Sequence, residues 1–315
     1  MQFKSFDQVL EVVKGLPKVR VSVANAQDEK VLLALKKGVQ EGFVEPVLVG
    51  SRSEIERVAW DVDFDLNGVE IFQADALAAP ELAVKLVQGG NCQVLMKGLV
   101  NSSTFLKAVL NGEWGLRTGK ILSHIAVYEV PGYDRLIFLT DGGLNIAPDL
   151  EMKKQICQNA IDFARSLGIT LPKVAVLSAN EQVSPKMPVT LEAQQLAQLA
   201  RKGEITGALV DGPLALDIAI NQEAAEHKGI ESPVAGQADI LLVPNIEAGN
   251  ILGKSILYFA GGVMAGLVLG AAAPVVLPSR ADTPQGKLMS LALACLAGQG
   301  MNRKDHSFRW EQITG

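Results

Sequence analysis

The most constraining feature of the chain is a pair of short apolar runs that each stop at a proline and lead into polar residues. The first run, residues 240–243, ends at Pro244, and the second, residues 273–277, ends at Pro278. Continuous apolar runs of this length are typical of strands buried on both faces of a parallel sheet. Ligands of open α/β sheets bind at the carboxyl ends of such strands. The pattern therefore predicts an α/β fold with a binding site at these two strand ends.

The polar residues that follow each run are of kinds that bind anions. Gly249, Asn250 and Lys254 follow the first run just before a helical pattern, and Ser279 and Arg280 follow the second. Glycines that expose backbone N–H groups, together with hydroxyls and cations, are typical of phosphate sites. We therefore interpret both strand ends as parts of one anion site.

A third strand end has similar chemistry. The apolar run at residues 94–96 is followed by Lys97, and hydroxyl-bearing residues then precede a helical pattern at residues 104–110. A further loop, D-G-G-L-N, follows a predicted strand at residues 136–140. The candidate substrate-binding residues in these two places are Lys97, Ser102, Ser103, Lys107, Asp141 and Asn145.

Strand and helix patterns alternate through most of the chain. Residues 19–24, 28–42 and 45–50 read as strand, helix and strand, which makes a βαβ unit and favours a parallel sheet. A chain of 315 residues is long enough for two domains. We expect one α/β domain of residues 1–125 plus 270–315 and a second of residues 126–269, so that the last strand returns to the first sheet.

The composition excludes several classes of function. Hydrophobic residues make up 48% of the chain and charged residues 20%, which is typical of a globular protein. The formal net charge of −5 argues against a nucleic-acid surface. Three cysteines and three histidines, all widely spaced, suggest neither a disulfide framework nor a zinc site.

One long apolar segment has to be considered as a possible membrane span. Residues 255–278 contain no charged residue, which satisfies the length rule for a membrane span. The segment also contains four glycines and Pro274, so we interpret it as a buried helix followed by a buried strand. The N-terminus carries charges within any apolar stretch and does not read as a signal peptide, so we expect a cytoplasmic protein.

Several quoted motifs together resemble one family, the phosphate acetyl/butyryltransferases. They are S-P-V-A-G-Q-A-D-I-L-L-V-P-N-I-E-A-G-N-I-L-G-K at residues 232–254, D-G-P-L-A-L-D at 211–217 and P-S-R-A-D-T at 278–283. The segments V-A-N-A-Q-D at 23–28, V-L-V-G at 47–50 and M-K-G-L-V-N-S-S at 96–103 resemble the butyryl branch of that family. The resemblance spans nearly the whole chain.

The resemblance implies a fold and an activity. It implies two α/β domains with mainly parallel sheets, similar to isocitrate and isopropylmalate dehydrogenases, with the active cleft between the domains. The implied reaction exchanges a short acyl group between coenzyme A and phosphate, so that the partners are a coenzyme A thioester, inorganic phosphate and an acyl phosphate. Coenzyme A is then a substrate, with no tightly bound cofactor, metal or covalent intermediate. A homodimer or larger homo-oligomer is also implied.

Family roles carry over onto some positions and fail at others. Ser279 and Arg280 match the serine–arginine pair of the acetyl branch, and an arginine of that branch falls on Lys107. The aspartate proposed there as the base for the coenzyme A thiol falls on Gly286, and the nearest carboxylate is Asp282. The predicted catalytic residues are therefore Ser279, Arg280 and Asp282. We predict a loop at residues 248–250, and we expect coenzyme A to bind near this loop and near Ser279.

Three alternatives remain open on the sequence alone. One is a phosphate acetyltransferase that acts on acetyl-CoA. Another is a dehydrogenase of the isocitrate type, which needs NAD and a divalent metal, with Asp211 and Asp217 as the candidate metal ligands. The third is a non-catalytic protein that binds coenzyme A or an acyl phosphate.

Overall fold

The computed structural model describes residues 3–279 and 282–302, which form two compact α/β units. The unit that we call the terminal unit contains residues 6–120 and the described residues from 265 onward. The unit that we call the central unit contains residues 3–5 and 121–264. Each unit contains a set of neighbouring strands with helices packed against them.

The first part of the chain builds most of the terminal unit. Asp28 begins the second helix by accepting a hydrogen bond from the Val31 backbone N–H, because an N-cap carboxylate satisfies a donor that the helix leaves free. The elements in order are α1 (Phe6–Lys14), β1 (Val19–Ala24), α2 (Glu29–Gln40), β2 (Val44–Gly50), α3 (Arg52–Asp61), β3 (Glu70–Gln73), α4 (Ala79–Gln88), β4 (Val94–Lys97) and α5 (Ser102–Val109).

The middle of the chain forms the central unit. Its elements in order are β5 (Ser123–Glu129), β6 (Ile137–Thr140), α6 (Leu150–Ser166), β7 (Lys173–Leu177), α7 (Pro188–Arg201), β8 (Leu209–Leu214), α8 (Leu216–Ile220), α9 (Gln222–His227), β9 (Ile240–Leu242) and α10 (Ile246–Tyr258). The last described elements are β10 (Val263–Leu269), β11 (Val275–Val276) and α11 (Pro284–Asn302).

The strands of both units are mainly parallel. In the terminal unit the strand order is β3-β2-β1-β4-β11-β10, with only β10 antiparallel to its neighbour β11 among these described strands. In the central unit the order is β5-β6-β9-β7-β8, and the described pairs are parallel except β5 with β6. The strand β4 is wholly buried, as its apolar run predicts, and β1 is buried except at Arg20, which is partly exposed.

The apolar stretch at residues 255–278 differs from its prediction. Instead of a helix and one strand, it contains the end of α10 and two antiparallel strands, β10 and β11. Gly261 has a φ of 67°, and the Gly262 N–H closes the helix onto the Ile256 carbonyl oxygen at 3.0 Å. A glycine in the left-handed conformation ends a helix at low cost, so the apolar run that follows is free to form strands. Across the described residues, we find no helix with both the length and the apolar character needed to cross a bilayer.

Candidate active site

Three parallel strands of the terminal unit end side by side. Ala24 of β1 pairs with Lys97 of β4, and Met96 of β4 pairs with Val276 of β11. The Gly98 N–H donates to the Ala24 carbonyl oxygen at 2.8 Å and ties the two loops that follow β1 and β4 together. We call this place the β1–β4–β11 edge. It brings two of the predicted residue groups, those after β4 and after β11, to one end of one sheet.

Ser279 lies just beyond β11 in a tightly held turn. Its backbone N–H donates to Asp282 Oδ2 at 2.7 Å, and its carbonyl oxygen accepts from the Asp282 N–H at 3.2 Å. The Asp282 carboxylate therefore stabilises the main chain of Ser279. Arg280, the third predicted catalytic residue, lies outside the described residues.

A lysine that the sequence analysis missed completes this turn. Lys287, in the first turn of α11, donates from Nζ to the Ser279 carbonyl oxygen at 2.7 Å and is 2% exposed. Burial lowers the pKa of Lys287, while the nearby Asp282 and Asp28 raise it and Lys30 lowers it. One signal for Lys287 was present in the sequence, since it is the single charged residue within the otherwise uncharged segment P-Q-G-K-L-M-S-L-A-L-A-C-L-A.

Lys97 is placed at the β1–β4–β11 edge as predicted, but its amine binds the protein itself. Lys97 is 6% exposed, and its Nζ donates to the carbonyl oxygens of Gly98 and Val100, both at 3.1 Å. A Cβ at Gly98 would lie 2.2 Å from the Asn25 carbonyl oxygen, so only glycine fits there. Lys97 and Gly98 thus hold the loop after β4 in place.

The other predicted residues of this loop and of α5 face solvent. Ser102, Ser103 and Lys107 are all exposed, and Ser103 and Lys107 lie four positions apart on the helix α5. Asn101 occupies the N-cap position of α5 without making a side-chain hydrogen bond to the helix. The first turn of α5 therefore presents hydroxyls and backbone N–H groups to solvent.

Two strand ends of the central unit form a second polar edge. Thr140 of β6 pairs with Leu242 of β9, so that the loops after β6 and β9 lie at the same end of the sheet. Asp141 is 2% exposed, and its carboxylate accepts from the N–H groups of Gly143 and Leu144, both at 2.9 Å. It also accepts from the His124 N–H at 3.0 Å and from the Asn145 side-chain amide at 2.6 Å. The side chain of Asp141 thereby organises its own loop.

The segment after β9 corrects the prediction of a loop at residues 248–250. These residues lie in the first turn of α10, because the Asn245 side chain caps the helix by accepting from the Ala248 N–H at 2.9 Å. Gly249 is buried, and a Cβ on it would lie 2.6 Å from Gly142 Cα. Gly249 is therefore a packing residue. Asn250 and Lys254, one helical turn apart, are exposed.

The two aspartates considered as metal ligands are engaged with cations of the protein. Asp211 lies within β8 and pairs with Arg201 at 3.2 Å. Asp217 lies in α8 and pairs with Lys228 at 3.5 Å. In the part of the chain that the structure describes, no group of three or more His, Cys, Asp or Glu side chains is placed to hold a metal ion.

Comparisons with known proteins agree on one family. A family model described as phosphate acetyl/butaryl transferase matches residues 5–81 and 78–295. The chain is 47% identical to the phosphate butyryltransferase of Clostridium acetobutylicum over 294 residues, which cover 93% of this chain and 98% of that protein. It is 40% identical to the phosphate acetyltransferase of Thermotoga maritima, over 92% of this chain and 98% of that protein.

A solved structure with a related sequence has the same fold. The crystal structure of a branched-chain phosphotransacylase from Enterococcus faecalis superposes with a TM-score of 0.80 at 35% identity, covering 89% of this chain and 99% of that one.

Proposed function

Since the chain belongs to the phosphate acetyl/butyryltransferase family, we propose that it exchanges a butyryl group between coenzyme A and phosphate. In one direction butanoyl-CoA and phosphate give butanoyl phosphate and coenzyme A. The single observation that carries the proposal is the match to this family over residues 5–295, with the motifs at 23–28 and 96–103 lying at the β1–β4–β11 edge and the motif at 232–254 lying at the edge formed by β6 and β9.

The reaction asks the protein mainly to hold charged groups and to stabilise developing charge. A phosphate oxygen attacks the carbonyl carbon of the thioester and forms a C–O bond. The C–S bond of the thioester breaks, and coenzyme A leaves as its thiolate. A thiol has a pKa near 8.5, so its thiolate is a fair leaving group at neutral pH. The carbonyl oxygen gains negative charge in the transition state, and aligned donors stabilise it.

Exposure decides which side chains can contact the substrates. We assign the phosphate to the exposed groups of α5, the Ser102 and Ser103 hydroxyls and Lys107. We assign Ser279 and Arg280 to the developing charge, on the basis of the family's serine–arginine pair. Asp282 then acts through the turn that it forms with Ser279.

The buried residues take supporting roles in the same proposal. Lys97 and Asp141 are almost fully buried and bind main-chain groups of their own loops, so we assign them to shaping the site. Asn145 supports the Asp141 loop by donating to the Leu122 carbonyl oxygen at 2.9 Å. Asn250 and Lys254, which are exposed on α10, are assigned to the pantetheine or nucleotide part of coenzyme A.

The decisive experiment measures thiol release from a panel of acyl-CoA substrates with inorganic phosphate. The purified chain is assayed with acetyl-, butyryl- and isobutyryl-CoA, with and without phosphate and with and without a chelator. We expect phosphate-dependent release that survives the chelator, with kcat/KM at least about tenfold higher for butyryl-CoA than for acetyl-CoA, because two methylenes fill an apolar pocket. Absence of thiol release from all three substrates would refute the proposal.

A second candidate is acetyl transfer, and a specific observation supports it. The relatives include phosphate acetyltransferases at similar coverage, so the family alone does not separate the two chain lengths. A kcat/KM for acetyl-CoA above that for butyryl-CoA in the same panel would select this candidate.

We propose four further properties from the family resemblance. The two units are the two domains of an isocitrate dehydrogenase-like arrangement, with the predicted boundaries near residues 125 and 270. The protein acts in the cytoplasm as a homodimer or larger homo-oligomer. It holds no tightly bound cofactor. Light scattering at micromolar concentration checks the oligomer, and a monomer mass would contradict it.

A further inference from the structure

Lys287 occupies a position where the fold by itself disfavours a cation. It lies in the first turn of α11, whose other residues are all uncharged, and it is 2% exposed. Burial penalises the charged form of an amine, and a helix N-terminus carries partial positive charge that repels a cation. A methionine of similar size would be cheaper in this position, as buried ions generally are to replace.

The surroundings of Lys287 compensate only part of this cost. The charged groups that face it are Asp282 of the Ser279 turn and Asp28 and Lys30 at the start of α2. Burial lowers the pKa of Lys287 below the 10.5 of an ordinary lysine, despite the two aspartates. Within the described ranges no carboxylate approaches its amine to ion-pair distance. The charge of Lys287 therefore does not by itself stabilise the fold.

The one hydrogen bond of the Lys287 amine within the described residues goes to Ser279. Nζ donates to the Ser279 carbonyl oxygen at 2.7 Å, eight residues away along the chain. An ammonium has three N–H donors, and this hydrogen bond uses one of them. The same carbonyl oxygen also accepts from the Asp282 N–H at 3.2 Å, so that removing the amine leaves the carbonyl oxygen hydrogen-bonded.

We propose that Lys287 is a positioning residue for the acyl transfer, which holds the main chain of Ser279 so that the Ser279 hydroxyl keeps one direction toward the substrate. The role rests on the proposed function. Gly286, at the position where the acetyl branch has an aspartate, directly precedes Lys287 in the sequence. In this chain the titratable group fixed next to the serine on α11 is thus a lysine.

The test compares Lys287→Met with a matched buried lysine elsewhere. Lys153 of α6 is 5% exposed and forms an ion pair with Glu192, and it has no part in the proposed chemistry. Lys287→Met should lower kcat by about 10- to 100-fold, because a small misplacement of a reacting group costs up to about 10² in rate. Its KM values should stay within about threefold of the wild type, since ground-state binding is not removed.

The unfolding temperature should rank the two variants in the opposite order to kcat. The folded pKa of Lys287 lies below the unfolded value, so the protonated lysine costs stability at neutral pH and this cost disappears as the pH rises. Lys287→Met should therefore unfold at the wild-type temperature or above it. Lys153→Met should keep the wild-type kcat and unfold at a lower temperature, because it leaves Glu192 without its partner.

The pH profile of kcat gives a readout that a purely structural role would not change. When Lys287 loses its proton, the charge-assisted hydrogen bond to the Ser279 carbonyl oxygen becomes a weaker neutral one, so the wild-type rate should fall on the alkaline side at a pH below 10.5. Lys287→Met has no such group and should lack this alkaline limb.

The outcomes distinguish this proposal from the proposed function. A wild-type chain that releases no thiol from any acyl-CoA overturns the proposed function and the role of Lys287 with it. With an active wild type, the role alone is overturned if Lys287→Met keeps the wild-type kcat. It is equally overturned if the loss of kcat matches a loss of folded protein, or if the alkaline limb is unchanged.

Discussion

Carboxylates at both polar edges bind main-chain N–H groups. Asp282 accepts from Ser279, and Asp141 accepts from Gly143 and Leu144. Hydrogen bonds from main-chain N–H groups to a carboxylate fix the loop around it. In both cases the aspartate shapes the backbone beside a predicted binding residue, so that loss of its side chain would act through the loop.

The role of Asp282 is tested by comparing two substitutions. An asparagine keeps an oxygen that can accept from the Ser279 N–H, whereas an alanine removes it. We expect Asp282→Asn to stay within about threefold of the wild-type kcat and Asp282→Ala to lose about tenfold, since a lost hydrogen bond to a charged group costs about 1.5–3 kcal/mol. The measurement is kcat from pH 6.5 to 9, a range chosen to include the thiol pKa of about 8.5.

Arg280→Ala provides the upper reference for the same series. Loss of a positioned donor to developing charge costs roughly 10²–10³ in rate, so this variant should be the slowest of the three. An Asp282→Asn enzyme as slow as Arg280→Ala, with a deficit that shrinks as the pH passes the thiol pKa, would instead identify Asp282 as the base.

At the scale of elements, the position of α10 depends on a contact between two glycines. A Cβ on Gly249 would lie 2.6 Å from Gly142 Cα, and a Cβ on Gly142 would lie 2.9 Å from the Gly249 carbonyl carbon. Backbone atoms cannot move aside as a flexible side chain does. The helix can approach the loop after β6 this closely only because neither residue has a side chain.

Gly249→Ala should therefore displace α10 from the Asp141 loop. Overpacking of a close contact typically costs about 1–3 kcal/mol, so we expect a loss of that size in the free energy of unfolding, together with reduced activity. Denaturant titration and the thiol assay measure the two effects.

Gly15→Ala is the matched control for this substitution. The nearest atom to a Cβ on Gly15 is the Val12 carbonyl oxygen at 3.5 Å, which is an ordinary contact. This variant should be neutral or up to about 1 kcal/mol more stable, because alanine lowers the entropy of the unfolded chain. Equal stability of Gly249→Ala and Gly15→Ala would show that the loop and α10 separate without cost.

At the scale of the whole molecule, we expect the three cysteines to be unreactive in the folded protein. All three are buried, and burial raises the pKa of Cys92 to about 11 and that of Cys157 to about 12. The pKa of Cys295 is raised as well. A thiol reacts through its thiolate, so raised pKa values and burial both slow the reaction.

This predicts that the native protein does not react with Ellman's reagent during an assay of coenzyme A release. In denaturant the same chain should release about three equivalents of the chromophore, one for each of its three cysteines. Rapid reaction of one cysteine in the native protein would contradict the burial of that residue.

Local patterns predicted most of the elements that carry the site. The unbroken apolar runs before Lys97 and Ser279 read correctly as buried strands, because a strand covered on both faces leaves a continuous apolar segment in the sequence. The motifs of residues 96–103 and 278–283 identified the family, which the family match confirms. The two strands in the apolar stretch after α10 escaped prediction, since a short apolar run has no period that separates helix from strand.

Only the tertiary structure showed which groups the polar side chains bind. The sequence by itself determined the alternation of strands and helices, the residue types at the strand ends and the family. It did not determine that Lys97 and Asp141 bind their own loops, or that Lys287 reaches Ser279, because these contacts depend on the backbone conformation of each loop, which the order of residue types does not specify. The hydrogen bond from the His124 N–H to Asp141 joins separate segments, and only the folded sheet brings such segments within the distance of about 3 Å that a hydrogen bond requires.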